Sequence, residues 1–358
     1  MEKNRDYGID LLKIISMLMV VVLHINGQGG VFENINSTFQ YVCFHGLESV
    51  CIISVNLFAL ITGYLYYGRD FKIKNIFSLW TQVFFYSFGI TLLFQIFNSN
   101  VVNARTWLEA CFPILSKQYW YFSAYFLLFL LIPFLNNAFE KMSKRWSSFL
   151  IFVILLLCGL DNLIEDAFAL KTGYSTMWLI VLYLVGAAIK KYDYSIKIKG
   201  KAVKPIWYLI ISGGFVCLGL ALALVRKEFL PELPIKTYRY TSIVNIFASI
   251  FFFIFFVKLK IKESKVSKII SKISTLSFGC YLIHVHPLVF TYIWRGLFAF
   301  VLSYNAIIAF VIIVGMTICI YFSCVLIEWI RSKLFQIMHI NQLFQRLQDK
   351  LNKKLKEN

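Results

Sequence analysis

Gly8-Ile9-Asp10-Leu11-Leu12-Lys13 leads into a largely apolar run that ends Val22-Leu23-His24. The segment from residue 8 to residue 26 is close to the ~20 residues that cross a bilayer as a helix. It nevertheless carries a lysine and a histidine. Ionisable groups inside a span are costly and usually face a bundle interior or a wet cavity. Lys13 and His24 are eleven residues apart. At ~100° per residue that is within ~20° of three full turns, so the two side chains share a helix face, ~16 Å apart along the axis. Taken alone, Lys13 could snorkel to water or pair with Asp10 one turn earlier, and His24 could be an interfacial histidine. Together on one face, they suit a long anionic ligand with a reactive tip. An imidazole can take a proton from an alcohol at neutral pH, and an ammonium can hold phosphate as a point charge. A charged start before an apolar run can resemble a signal peptide. No small-residue cleavage site follows, so the segment is expected to be a retained first helix.

The rest of the chain repeats the apolar pattern. Of 358 residues, 59% are hydrophobic and only 15% charged, with a mean hydropathy of +0.71. Soluble domains hold about 25% charged residues. The fold class expected is an all-α, polytopic integral membrane protein. The apolar runs do not alternate, which excludes a transmembrane barrel. About ten transmembrane helices are expected, near residues 8–26, 48–67, 76–97, 119–139, 146–160, 174–189, 205–225, 241–259, 275–294 and 304–327, the fifth and sixth being short. A transmembrane domain over 1–330 and a basic amphipathic tail over 331–358 make up the expected organisation. In the tail, Leu334, Phe335, Ile337, Met338, Ile340, Leu343, Phe344 and Leu347 fit a helix lying along the membrane surface.

The net charge of +18 is distributed unevenly: 27 of the 36 Lys and Arg lie on one side of these spans and 8 on the other. By the positive-inside rule the basic side is cytoplasmic, so both termini are expected inside. The basic clusters (Lys190, Lys191, Lys197, Lys199, Lys201 and Lys204; Lys258 to Lys272; Lys350 to Lys356) are expected to face anionic lipid headgroups rather than nucleic acid. The eight cysteines form no C-x-x-C pair and lie mostly in spans, so neither a disulfide framework nor a metal site is expected. The loop from Gly27 to Leu47 carries Gln28, Glu33, Asn34, Asn36, Gln40 and His45 but no Lys or Arg. Such groups suit sugar hydroxyls, although a solvated loop has the same composition.

Further polar groups interrupt the other spans. Asn56 and Thr62 sit in the second, where Gly63 permits a close helix contact. Arg69, Lys72 and Lys74 follow it, either as ordinary flanking charge or as a phosphate-binding patch at the mouth of a groove. The fourth span opens Gln118-Tyr119-Trp120-Tyr121-Phe122, as an interfacial aromatic belt would, and Pro133 is expected to kink or end it. The ninth carries Tyr281-Leu282-Ile283-His284-Val285-His286-Pro287. Tyr281 and His284 share a face, His286 does not, and Pro287 loosens the backbone. These groups are expected to wall a polar cavity. Metal ligation lacks an H-E-x-x-H spacing.

Asp10…Lys13…His24, the stretch from Phe58 to Tyr64, Tyr119-Trp120, Pro133-Phe134-Leu135-Asn136 and Tyr281-Leu282-Ile283-His284 together resemble the integral-membrane acyltransferase family 3, over nearly the whole chain. The resemblance implies transfer of an acyl group, usually acetyl, from cytoplasmic acyl-CoA to a hydroxyl of an extracytoplasmic or lipid-linked glycan, in a bacterial plasma membrane. Carried over by position, His24 matches the family's essential histidine and Lys13 its basic residue, at the spacing of an extended pantetheine arm. Lys13, Arg69, Lys72 and Lys74 would then hold the phosphates of acyl-CoA, and Asn56, Trp120, Tyr281 and His284 would meet the acceptor. The chain departs from the family in three places. Lysine stands where arginine is common, which removes bidentate phosphate contact; the paired-arginine motif is reduced to Arg69, Lys72, Lys74 and Asn75; and the serine of the family's Ser-Gly-Tyr segment is Thr62. The rival reading is a transporter or flippase of a lipid-linked sugar, with His and Lys as relay groups. The chain shows no internal repeat of the kind common among transporters. A purely structural partner leaves the Lys13–His24 face unexplained.

Overall fold

The computed structural model describes residues 5–161, 166–198, 200–229 and 237–356. The chain is an all-α bundle. Its elements are α1 (Tyr7–Asn26), α2 (Thr38–Cys51), α3 (Ser54–Tyr66), α4 (Ile73–Phe97), α5 (Ala104–Cys111), α6 (Trp120–Glu140), α7 (Lys144–Asp161) and α8 (Thr176–Tyr192). Then come α9 (Pro205–Phe229), α10 (Ile243–Lys258), α11 (Lys265–His284), α12 (Pro287–Val289), α13 (Ala306–Ile337) and α14 (Ile340–Lys356). A two-stranded antiparallel hairpin, β1 (Lys197–Ile198) with β2 (Lys201–Ala202), joins α8 to α9. Among the described residues, seven helical stretches are long and apolar enough to cross a membrane: α1, α2 continuing into α3, α4, α6, α9, α11 and α13. α7, α8 and α10 have 18, 17 and 16 residues. At ~1.5 Å per residue they reach ~24–27 Å, just short of a ~30 Å hydrocarbon core.

Burial orders the bundle. The apolar window of α2–α3 is 72% buried and that of α9 only 22%. α1 and α3 therefore lie at the centre, and α4, α6, α9 and α13 present broad apolar faces outward, as lipid-facing helices do. α3 packs on α8 through paired small residues. A Cβ on Gly63 would lie 2.0 Å from the Tyr183 carbonyl oxygen, and one on Gly186 would lie 2.2 Å from that of Leu60. Only hydrogen fits at either crossing, which is the use of Gly63 that its place in an apolar run implies. Asn56 ties the same elements together. Its Oδ1 accepts from Trp178 Nε1 (2.9 Å), and its Nδ2 donates to the Tyr240 carbonyl (2.9 Å) and Ser249 Oγ (3.2 Å).

Three expectations about elements change. The ninth span, expected at 275–294, begins ten residues earlier as α11 and ends at His284. Ser264 and Ser267 form a reciprocal capping box at its start. Pro287 stops it, because the residue before a proline is driven out of the helical region. Lys265, Lys268 and Lys272 hide the first turns from a hydropathy reading, while Ser267, Ser271, Ser274 and Ser277 form the buried stripe. Second, the expected loop from Gly27 to Leu47 is largely helical: α2 starts at Thr38, capped by the Ser37 side chain. Third, the tenth span continues to Ile337, so the boundary expected at 330/331 falls inside α13 and the chain breaks at Met338–His339, where His339 has φ 55°. Glu328, just past the tenth span as expected at 304–327, is 2% exposed. It accepts from Arg331 (2.8 and 2.6 Å), Tyr86 (2.7 Å) and Gln82 (3.0 Å), joining α13 to α4. Helix α14 packs on α4, with Lys74 Nζ donating to Gln345 (2.8 Å) and Phe344 against Phe77. α6 runs through Pro133 to Glu140, as the expected span 119–139 does, so of the two outcomes expected at Pro133 the helix end does not occur. Lys199 and the side chains of Lys354 and Lys356 lie outside the described residues.

Candidate functional site

α1 carries both ends of the site. The Asp6 side chain caps α1 at its start by accepting from the Ile9 amide, and its face with Lys13, Met17, Val20 and His24 looks into one cavity of about 720 Å³. α3 and α11 supply the next walls, with Phe58, Ile61 and Thr62 from one and Ser274, Ser277, Phe278 and Tyr281 from the other. α4 adds Leu79 and Gln82, and the start of α6 adds Trp120, Tyr121 and Tyr125. At the Lys13 end the wall includes Leu65, Tyr66 and Gln82. At the His24 end it includes Gln28, Glu48, Tyr174, Tyr238 and Tyr240. The middle is apolar and aromatic. Among the described residues, Lys13 is the only lysine or arginine that lines the cavity and Glu48 the only carboxylate.

At the Lys13 end, the buried Asp10 carboxylate organises the charge. Its Oδ1 lies 3.3 Å from Lys13 Nζ and accepts from Ser274 Oγ (2.9 Å), and its Oδ2 accepts from Arg5 Nε (2.6 Å). Arg5 also donates to the Ser271 carbonyl (3.2 Å). Two cations therefore share one carboxylate, and the cluster keeps a net positive charge beside the cavity. The pairing of Lys13 with Asp10 that helix spacing allows is present, and it coexists with exposure of Lys13 to the cavity. Arg5 is a member of this cluster that the sequence pattern did not single out.

At the His24 end, His24 Nδ1 lies 2.9 Å from His284 Nε2, and His284 Nδ1 lies 2.5 Å from the Cys280 carbonyl oxygen. Phe290 meets the His24 ring edge-on at 5.0 Å, and Trp294 lies 5.7 Å from the His284 ring. Outside this pair, Trp120, Tyr174 and Tyr240 form an aromatic wall, Trp120 lying 4.3 Å from Tyr174 and nearly parallel to Tyr240 at 6.2 Å. His45 stacks on Phe32 at 4.7 Å and contacts Glu48 at 2.8 Å. The buried Tyr121 hydroxyl, which sequence reading assigned to an interfacial belt, lines the cavity with no hydrogen-bond partner among the described residues. Tyr121 and Tyr125 are one turn apart on α6, a spacing that marks one face and could have pointed to both.

The fold thus brings His24, Lys13, Trp120 and Tyr281 to one cavity. His284 is behind His24 and does not line it, and Asn56 is fully enclosed with its amide satisfied, so neither reaches the space where an acceptor would sit. Arg69, Lys72 and Lys74 are not in the cavity wall. Lys72 and Lys74 line a separate small cavity of about 290 Å³ with Asp70 and residues of α14, and exposed Arg69 follows Tyr66 by one turn. His286 is held elsewhere: its Nδ1 accepts from the Leu288 amide (3.2 Å), and its ring contacts Gln118 (3.1 Å) and the Ser87 carbonyl (3.3 Å). No group of three or more potential metal ligands occurs among the described residues.

Neither a curated protein nor a solved structure matches the chain. The family model described as an acyltransferase domain matches residues 6–326, a range that begins at the cap of α1, ends within α13 and contains every wall of the cavity. The chain belongs to acyltransferase family 3 and is a multi-pass membrane acyltransferase.

Proposed function

We propose that the protein is an O-acyltransferase that moves acetyl from cytoplasmic acetyl-CoA to a hydroxyl of an extracytoplasmic or lipid-linked glycan. On this reading it crosses the bacterial plasma membrane ten times and keeps both termini in the cytoplasm. The observation that carries the proposal is the single cavity with Lys13 at one end and His24 at the other. A phosphate of the donor pairs with Lys13, and the pantetheine arm lies along the apolar middle, so the thioester meets His24. Arg5 and Arg69, close to that end, add to the attraction for the nucleotide. His24 acts as general base on the acceptor hydroxyl, a role worth ~10²–10⁴-fold in rate. The aromatic wall and Glu48 offer stacking surface and hydrogen-bond acceptors to a sugar. Acetyl fits better than succinyl: among the described residues no lysine or arginine lines the His24 end of the wall, so a free carboxylate there would be buried without a partner from them, which is costly.

The test is mass spectrometry of surface glycans from cells with the wild-type gene, a deletion, and His24→Ala, with membrane levels of the variant measured in parallel. The expected result is loss of an ester-linked acetyl group in both the deletion and His24→Ala. Unchanged acylation with a well-expressed His24→Ala protein rejects the histidine as base. Unchanged acylation in the deletion rejects the glycan as acceptor.

A further inference from the structure

The contact between His24 and His284 has a direction. The Cys280 carbonyl oxygen can only accept a hydrogen bond, and it lies 2.5 Å from His284 Nδ1. A bare lone pair on that nitrogen would face the oxygen's own lone pairs at this distance. A neutral His284 therefore carries its proton on Nδ1, and its Nε2 is an acceptor. His284 Nε2 is 2.9 Å from His24 Nδ1, and the contact is a hydrogen bond only if His24 donates from Nδ1. Neutral His24 then has no proton on Nε2. That nitrogen has no protein partner among the described residues, and the ring lines the cavity. The opposite tautomer would offer the cavity a donor, which cannot remove a proton. His284 is 2% exposed and is not part of the cavity wall, so a direct contact with substrate is closed to it.

We propose that His284 is a positioning residue that selects the tautomer of His24, holding the proton on Nδ1 so that Nε2 is the basic atom presented to the acceptor. The proposal rests on the reading of His24 as the base. In the step it serves, the acceptor hydroxyl proton passes to His24 Nε2 as the acceptor oxygen bonds to the thioester carbonyl carbon. The carbon–sulfur bond then breaks with its electron pair going to sulfur. The proton on Nε2 passes to that thiolate, releasing CoA thiol and restoring neutral His24. His284 neither gains nor loses a proton. It accepts the Nδ1–H bond throughout, and Cys280 fixes which of its own nitrogens is free to do so. The end of α11 thereby helps to position His24: Val285 and Pro287 end the helix directly after His284, and Trp294 packs against its ring.

The experiment uses full-length enzyme in lipid vesicles, acetyl-CoA as donor and unacylated surface glycan from the deletion strain as acceptor, with thiol release as the rate. His284→Leu removes the acceptor nitrogen and keeps an apolar side chain. His284→Gln returns an oxygen near the position of Nε2. The Leu variant is expected to lower kcat on the order of 10²-fold with the KM for acetyl-CoA unchanged, and the Gln variant to recover most of that loss. In ¹⁵N-histidine-labelled enzyme, with His24→Ala used to assign the signal, wild-type His24 Nε2 is expected at the chemical shift of an unprotonated ring nitrogen. In His284→Leu it is expected to shift toward the protonated value. A wild-type His24 protonated on Nε2 overturns the proposal, as does full kcat in His284→Leu. A raised acceptor KM with equal losses in Leu and Gln variants also overturns it, because that pattern belongs to a substrate contact. If His284→Leu does not accumulate, the wild-type spectrum and the Gln variant still decide. Full activity in His24→Ala sinks the base reading itself, an outcome separable from any result at His284.

Discussion

Lys13 shows how one side chain can satisfy two readings at once. It pairs with Asp10, as its helix spacing permits, and it is also the one lysine or arginine in the cavity wall among the described residues. Because Arg5 shares the same carboxylate, Lys13 is only partly neutralised and keeps attraction for an anion. Lys13→Ala is therefore expected to raise the KM for acetyl-CoA roughly tenfold, the loss of one charge-assisted contact, with a smaller effect on kcat. Lys13→Arg is expected to keep or lower that KM, since a guanidinium can hold phosphate in two contacts. Initial rates of thiol release against acetyl-CoA concentration check both, and an unchanged KM in the alanine variant removes Lys13 from the donor site. The face shared by Lys13 and His24 was legible from an eleven-residue spacing alone. The partner of His24 was not, because His284 is 260 residues away and only the fold brings the two together. Asn56 misled for the opposite reason: an amide in an apolar run reads as a ligand contact until its partners on α8 and α10 are known.

At the scale of elements, α3 against α8 is the contact on which the α3 wall of the cavity depends. The two glycines at the crossing leave no room for a side chain, and the atoms in the way are backbone oxygens that cannot rotate aside. Gly63→Leu is expected to destabilise the bundle by at least the ~1–3 kcal/mol typical of overpacking, read as a lower melting temperature in detergent and reduced membrane levels. A variant with wild-type melting and activity would show that the crossing is looser than described. Hydropathy alone located most helices within a few residues but mistook the start of α11. Three lysines in its first turns lower the apolar signal, and the buried stripe opposite them is made of serines rather than aliphatics. The end of α13 was missed for a related reason: Glu328 and Arg331 look like a tail in sequence, yet they neutralise one another inside the bundle.

At the scale of the whole molecule, the proposed topology puts the Lys13 end and the His24 end toward two different aqueous compartments. In vesicles with uniform orientation, acetyl-CoA is expected to be consumed only when supplied on the side of the termini, and glycan to be acetylated only when supplied on the other. Consumption with both substrates on one side would mean that the cavity is entered from one face alone. The same vesicles carry a second readout. On the proposed topology the cavity runs across the bilayer and is also a potential short circuit for the ion gradients a cell lives on. Its middle is closed to ions chiefly by the low polarity of Met17, Val20, Phe58, Ile61 and Phe278, which leaves a hydrated ion without partners there. The apolar middle proposed to receive the donor's arm thus doubles as electrical insulation. Widening it to admit bulkier acyl groups is expected to make the vesicles leak protons before it makes the enzyme more versatile.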